Sequence, residues 1–315
     1  MQTFTYDQRY FNLDDTLANG QVFRWQHQAD GWWLGVVEGE VIKLRQDGDT
    51  FTYGSYPTTD NFALLEDYFT LKSDLAAVHE VMQRDPLAAD AVARFPGLRM
   101  MRQNPEECLL SFVASTANSV PQIAKGIDAF SAQYGTLIGE SGGKKLYTFP
   151  TAQALAAADP DFMGQQTGLG WRGINVVKVA KQVAAKPSGW LLSLREARYV
   201  EAKYELMQLV GVGAKIADCV CAFSLDKGEA VPVDTHIFQL AVEHYLPTLK
   251  GKTLTDAAYN KIAAAFKERF GNYASLAQQY LFYAHFTNYW GGKSPLIYGA
   301  NNGSRTRRTP PRPQG

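Results

Sequence analysis

The sequence predicts an α+β fold, in which a β-rich antiparallel N-terminal domain precedes a mostly α-helical domain. Residues 31–55, GWWLGVVEGEVIKLRQDGDTFTYGS, are rich in β-branched and aromatic residues. They are broken at Glu38-Gly39 and Asp47-Gly48, dipeptides that are typical of tight hairpins. From about Asp60 onward, apolar residues recur at helical spacing. Glycine and proline separate the later segments, and we expect nearly all of them to be helical.

The segment FPGLRMMRQNPEE, residues 95–107, marks the break between the two predicted domains. We expect an N-terminal antiparallel sheet with helices over residues 1–100 and a helical domain over residues 101–290. Residues 291–315 end in NNGSRTRRTPPRPQG, which is rich in Pro, Gly and Arg. Such a composition does not supply a core, so this tail is expected to be disordered.

The composition is that of an ordinary globular protein, with 46% hydrophobic residues, 20% charged residues and a formal net charge of zero. Three cysteines are too few for a disulfide framework, or for a four-cysteine zinc or iron–sulfur site within one chain. No run of about 18 apolar residues and no signal-peptide pattern is present. We therefore expect a cytoplasmic protein without a membrane segment.

The stretch LVGVGAKIADCV, residues 209–220, predicts a tight turn between two helices. Gly211 and Gly213 would form the turn between a helix ending near Leu209 and one starting near Ala214. Free N–H groups at a helix start bind anions such as a backbone phosphate, and carbonyls on the other side of the turn can hold a monovalent cation. The same pattern is also typical of a plain helix cap.

Lys215 and Asp234 stand at the starts of two consecutive helices, 19 residues apart. A lysine is unfavourable beside the positive end of a helix dipole, and that position favours the neutral amine that a nucleophile needs. Asp234 follows the extended pair Pro232-Val233 and is placed to cap its helix. The two side chains meet only if the connecting loop doubles back. Taken singly, each is equally typical of a surface lysine or a structural cap.

The stretch LVGVGAKIADCVCAFSLDKGEAVPVDTHI, residues 209–237, closely resembles the helix-hairpin-helix glycosylase superfamily, and within it the 8-oxoguanine DNA glycosylases. Four further segments match that family in order, so the resemblance covers roughly residues 11 to 290: LANGQVFRW (17–25), NPEECLLSFVAS (104–115), GLGWRG (168–173) and YASLAQQYLFYA (273–284). Relatives similar to endonuclease III usually carry a four-cysteine cluster after the catalytic loop, which this chain does not have.

The resemblance implies a base-excision-repair enzyme that flips 8-oxoguanine out of double-stranded DNA. In the family, a lysine at the Lys215 position attacks C1′ and forms a Schiff base, after which β-elimination nicks the strand. An aspartate at the Asp234 position stabilises the oxocarbenium-like transition state. The resemblance implies no required cofactor and a monomer, associated with the nucleoid or located in the nucleus according to the source.

The resemblance also assigns pocket and DNA contacts to residues of this chain. The carbonyl of Gly20 would accept the N7–H that distinguishes 8-oxoguanine from guanine, and Gln278 would meet the Watson–Crick edge. Cys219 and Phe282 would enclose the ring. The remaining implied contacts are Arg172 beside the opposite base, His236 on a phosphate, Gly211 and Gly213 on the DNA backbone, and the carbonyls of Met207, Leu209 and Val212 on a monovalent cation.

Three positions depart from the family pattern. Ala117 replaces an asparagine that fills the space left by the flipped base, and the neighbouring Asn118 is a candidate substitute. Gln122 replaces an arginine that reads the opposite cytosine. His285 replaces an aspartate that orients the histidine at the His236 position. The first two departures predict relaxed discrimination for cytosine opposite the lesion.

Other functions remain open at this point. One is a lysine-bearing glycosylase of the same superfamily for another damaged purine, against which Gly20 and Gln278 argue. Another is a non-catalytic protein that binds damaged DNA, which would need neither Lys215 nor Asp234. A helical binding domain with accidental motifs is disfavoured by five matches in order.

Overall fold

The computed structural model describes residues 1–289 and contains an N-terminal antiparallel sheet of five strands. The strand order β1-β5-β4-β3-β2 leaves β1 and β2 at the edges, and the predicted β-rich N-terminal domain is confirmed. The strand bounds are β1 Gln2–Thr5, β2 Gln26–His27, β3 Trp33–Val37, β4 Glu40–Asp47 and β5 Thr50–Tyr56.

The two predicted hairpins form the centre of this sheet. Glu38 and Gly39 connect β3 to β4 with φ values of 47° and 80°, the double positive φ of the turn that matches strand twist. The second turn consists of Gly48 and Asp49, because Asp47 pairs with Thr50 as the last residues of β4 and the first of β5. The sequence pattern therefore located the second turn one residue too early.

Fourteen α-helices occur within residues 1–289, and most follow the sheet. Their bounds are α1 Leu13–Leu17, α2 Phe62–Tyr68, α3 Leu75–Met82, α4 Pro86–Arg94, α5 Pro105–Ala114, α6 Val120–Tyr134, α7 Ala152–Ala156, α8 Trp171–Ala184, α9 Trp190–Ser193, α10 Tyr199–Met207, α11 Ala214–Ser224, α12 Thr235–His244, α13 Asp256–Phe270 and α14 Ala274–Tyr289. The expected helical second part is thus confirmed in outline. The predicted tail over residues 291–315 lies outside the described residues.

A second, two-stranded sheet interrupts the helical part and was not anticipated. Strands β6 Leu137–Ser141 and β7 Lys144–Tyr147 pair antiparallel around the dipeptide Gly142-Gly143. A glycine pair is a hairpin signal, but the strands are short and only partly apolar, so their periodicity is weak. Residues 137–147 are therefore an exception within a second part that is mostly helical, as expected.

Three large hydrophobic clusters make up the core. One lies between the five-stranded sheet and α1–α2, and a second joins α5, α6, α8 and α11. The third joins α3 and α4 to α12, α13 and α14, which places N-terminal and C-terminal helices in one core. The domain limits at residues 100 and 290 remain a prediction. The third cluster packs helices from both sides of residue 100 against each other. Within residues 1–289, no helix has the length and apolar character needed to cross a membrane.

Candidate active site

The predicted turn joins α10 to α11 and leaves its backbone accessible. Gly211 has a φ of +88°, in the left-handed region that favours glycine. Gly213 caps α11 with extended backbone, and a Cβ added there would meet no atom within 4 Å. A bulky anion can therefore approach the N-terminus of α11, where free N–H groups and the helix dipole favour negative charge. Lys215 lies in the first turn of this helix.

Asp234 caps α12, as its position in the sequence predicted. Its backbone is extended, and its carboxylate accepts a hydrogen bond from the amide of Ile237 at 2.9 Å. The preceding Val233 is buried, so the segment that leads to Asp234 is held against the core. The carboxylate is thereby held at the N-terminus of α12, where the helix dipole favours negative charge.

The loop between α11 and α12 doubles back, so that Lys215 and Asp234 line the same cavity. The cavity has a volume of about 50 Å³, and the half-buried Phe282 forms one of its walls. All six predicted catalytic and pocket residues are among its lining residues, which are Gly20, Phe112, Lys215, Cys219, Phe223, Pro232, Asp234, Gln278, Gln279 and Phe282.

Apolar rings and a buried thiol surround the lysine. The Nζ of Lys215 lies 5.0 Å from the centre of the Phe112 ring, which itself stacks on Phe223. Burial raises the pKa of Cys219 to about 11, although the neighbouring Lys215 opposes this shift. Cys219 is therefore a neutral thiol against the lysine. The site thus combines an amine, a carboxylate and a largely apolar lining.

Comparison with known proteins shows the family to which the chain is similar. A family model described as the N-terminal domain of 8-oxoguanine DNA glycosylase matches residues 3–109. The N-glycosylase/DNA lyase OGG1 of Arabidopsis thaliana is 34% identical over 279 residues, which cover 85% of this chain and 76% of the relative. This chain belongs to the 8-oxoguanine DNA glycosylase family.

The fold of this family member is similar to that of two solved structures. One is MBOgg1 in complex with a low-affinity DNA ligand, with a TM-score of 0.80 and 33% identity over 90% of this chain and 94% of that one. The other is an 8-oxoguanine glycosylase/lyase of Clostridium acetobutylicum in complex with double-stranded DNA that contains cytosine opposite 8-oxoguanine. Its TM-score is 0.77, at 31% identity over 88% of this chain and 92% of that one.

Gln278 is the polar group of the cavity that lacks a partner. It is 3% exposed, and its Oε1 has no hydrogen-bond partner within the described part of the chain. An unpaired buried amide oxygen costs free energy, so a ligand that donates a hydrogen bond there is favoured. Gly20 faces it with a φ of +83°, and a Cβ at this position would lie 3.7 Å from the Phe282 ring.

A buried network that the sequence did not reveal lies behind Lys215 and Asp234. Asp218 on α11 is fully buried and accepts hydrogen bonds from Lys203 at 2.7 Å and from Tyr259 at 2.6 Å. The Tyr259 hydroxyl in turn accepts from the amide of Val233 at 3.3 Å. The network ties the lysine-bearing helix to the segment before Asp234. The sequence shows an acid, Asp218, between Lys215 and Cys219, but it does not indicate which side chains Asp218 contacts.

His236 and His285 contact each other, as the departure at His285 suggested they would. Their Nδ1 atoms lie 3.2 Å apart, and the ring of Phe282 packs edge-on against His236 at 5.7 Å. Burial, and then the adjacent His236, lower the pKa of His285. A neutral imidazole is therefore the partner of His236 where the family pattern has a carboxylate.

Arg172 lies beside the loop that carries Ala117. Its Nε donates to the carbonyl of Thr116 and its Nη2 to the carbonyl of Ala117 at 2.6 Å. The neighbouring Trp171 is 51% exposed, and the centre of its ring lies 4.8 Å from Cζ of Arg172. This exposed aromatic side chain was not predicted from the sequence.

The other two residues singled out near this loop are also accessible. Asn118 is half-buried, with its side-chain oxygen accepting from the amide of Ser119 at 2.9 Å. Gln122 is exposed near the start of α6. Neither residue lines the cavity that holds Lys215.

Within residues 1–289, no three His, Cys, Asp or Glu side chains are grouped to hold a metal ion. Cys108, Cys219 and Cys221 are all buried free thiols. The backbone carbonyls singled out as cation ligands lie in the turn before α11, where Leu209 also accepts from the amide of Val212 at 3.0 Å and Met207 is 43% exposed.

Proposed function

We propose that this protein is a bifunctional DNA glycosylase and AP lyase that excises 8-oxoguanine from double-stranded DNA during base excision repair. The observation that carries the proposal is the single cavity that Lys215 and Asp234 share with Gly20, Gln278, Cys219 and Phe282. Its relatives are named N-glycosylase/DNA lyases, and one solved neighbour holds DNA with 8-oxoguanine.

In this proposal the Nζ of Lys215 attacks C1′ of the damaged nucleotide while the bond from C1′ to the base breaks. The base leaves with the bonding electron pair and takes up a proton. Loss of a proton from the lysine nitrogen and opening of the sugar give an imine, and β-elimination then expels the 3′ phosphate. The Asp234 carboxylate stabilises the positive charge that develops on the sugar, an electrostatic effect strengthened where water is excluded.

We assign the recognition of the damaged base to the pocket residues. The carbonyl of Gly20 accepts the N7–H of 8-oxoguanine, a proton that guanine lacks, and the unpaired Gln278 amide meets the opposite edge of the ring. Cys219 and Phe282 enclose its faces. A site built to pair a donor rejects the analogue without it, because its own acceptor is left unpaired.

We assign the DNA contacts to the surface around this cavity. The open backbone at Gly211 and Gly213, with His236, takes phosphates, while Arg172, Asn118 and Gln122 face the strand opposite the lesion. A monovalent cation on the carbonyls of Met207, Leu209 and Val212 would offset phosphate charge at the turn. We further propose that the protein acts as a monomer.

Borohydride trapping tests the reaction. Incubation with a duplex containing 8-oxoguanine opposite cytosine, followed by borohydride, should give a covalent adduct by reduction of the imine. Lys215→Gln should abolish it. Lys178→Gln, which removes an exposed lysine on α8, should leave it unchanged. Binding of the lesion without any adduct from the unaltered protein would favour a damage-binding protein. Absence of binding would exclude 8-oxoguanine and favour another damaged purine.

A further inference from the structure

The turn that carries Gly20 is held in place by buried amide side chains. Asn19, Gln21, Gln103 and Gln279 are each at most 6% exposed. Because glycine has no side chain, only the hydrogen bonds of its neighbours determine where the Gly20 carbonyl lies. Buried polar networks of this kind are rigid when their bonds are made.

The two sides of Gly20 are anchored to different parts of the fold. On the C-terminal side, the Gln21 side chain donates to the carbonyl of Arg99 and accepts from the amide of Met101, both at 2.8 Å. Gln103 donates to the carbonyl of Gln21 at 2.8 Å. This side of the turn is therefore fixed to the segment between the domains.

On the N-terminal side, the anchor comes from α14. The Nε2 of Gln279 donates to the carbonyl of Asn19 at 3.0 Å across 260 residues of sequence. Gln279 is 2% exposed, lines the cavity itself, and directly follows Gln278. One turn of α14 thus carries both the amide that faces the base and the amide that holds the opposite wall.

We infer that Gln279 is a positioning residue for the discrimination between 8-oxoguanine and guanine. Its bond to Asn19 sets the distance between the Gly20 carbonyl and the Gln278 amide, and so the placement of the acceptor for N7–H. The inference rests on the proposed function and on the role given there to Gly20. Without this bond the Asn19 carbonyl loses its anchor on α14, and only the contacts on the other side of the turn, such as the bond from the Gln21 amide to Asn19 Oδ1 at 3.2 Å, still align the Gly20 carbonyl with the base.

Affinity measured without chemistry tests this inference. In a Lys215→Gln background, dissociation constants are measured for two duplexes that differ only in carrying 8-oxoguanine or guanine. Adding Gln279→Met keeps the length of the side chain and removes the donor. The preference for 8-oxoguanine should fall about tenfold, which corresponds to about 1.4 kcal/mol, while affinity for the guanine duplex stays the same. If the Met variant folds poorly, Gln279→Asn replaces it in the test. The asparagine side chain is too short to reach the Asn19 carbonyl, so the same loss of preference is expected.

Gln46→Met in the same background is the matched control. Gln46 also anchors backbone, since it accepts from the amide of Leu13 at 2.7 Å and donates to the carbonyl of Gly48, but it does not line the cavity. Its preference for 8-oxoguanine should be unchanged. An unaltered preference in either folded Gln279 variant, or an equal loss of affinity for both duplexes, would overturn the inference. If the Lys215→Gln parent itself shows no preference, the proposed function falls, and this inference with it.

Discussion

At the level of single residues, the proposed role of Asp234 combines two purposes in one carboxylate. Its hydrogen bond to Ile237 stabilises the start of α12, and the same bond holds the carboxylate at the cavity that contains Lys215. The capping geometry supports the catalytic role, since a mobile aspartate would need to reorganise when charge develops on the sugar.

Asp234→Asn separates these two purposes. Asparagine is as good an N-cap as aspartate, so the free energy of unfolding should change by less than about 0.5 kcal/mol. Base excision should fall at least roughly 100-fold, because the negative charge beside the developing cation is lost. Single-turnover excision and thermal unfolding measure the two effects. Asp74→Asn, at the cap of α3, is the control and should alter neither. Excision within a few-fold of the unaltered protein would contradict the role given to Asp234.

At the level of elements, the connection between α5 and α6 carries the residues that we propose to face the strand opposite the lesion. Ala117 has a φ of 48°, and the carbonyls of Thr116 and Ala117 hold Arg172. An asparagine adopts the left-handed region more readily than alanine, which fits the family pattern at this position. The neighbouring Gln122 is neutral and exposed, so no extra positive charge is available at that position to read cytosine.

Excision of 8-oxoguanine should therefore depend weakly on the opposite base. Rates opposite C, A, G and T should lie within about 100-fold of one another, which corresponds to about 2.7 kcal/mol. Gln122→Arg should increase the preference for cytosine by adding a charged donor. Gln133→Arg adds the same charge at an exposed position further along α6 and should not. A larger preference for cytosine in the unaltered protein would show that other residues read that base.

At the level of the whole molecule, α14 connects the pocket to the N-terminal part. Gln278 and Phe282 line the cavity, while Tyr280 donates to the carbonyl of Leu98 at 2.9 Å and its hydroxyl lies 3.0 Å from Nε2 of His79. Burial, and then Arg99, lower the pKa of His79 from 6.5 to about 4. His79 is therefore neutral in the folded protein at neutral pH.

This histidine makes folding stability depend on pH. As pH falls below 6.5 the unfolded chain binds a proton at His79, whereas the folded chain binds one only near pH 4. The contribution of His79 to the free energy of unfolding is thus complete above pH 6.5. It is lost on acidification, which lowers the free energy of unfolding by at most about 3 kcal/mol. Denaturant unfolding between pH 7 and pH 4 measures it. His79→Gln should flatten the profile, and His244→Gln, at an exposed position, should not. Equal slopes in the two variants would assign the dependence to other groups, such as His285.

Local patterns by themselves determined the fold class, the central hairpins of the N-terminal sheet, the cap at Asp234 and the turn before Lys215. These features depend on residues close in sequence, such as Glu38-Gly39 at a hairpin or Asp234 before a helix. Family similarity then assigned the pocket residues, which nothing local distinguishes from core positions. Tertiary structure decided which side chains meet: Lys215 with Asp234 across a returning loop, and Asp218 with Tyr259. Gln279 meets Asn19 across nearly the whole chain. Such contacts arise from the packing of helices distant in sequence, and periodicity carries no information about them.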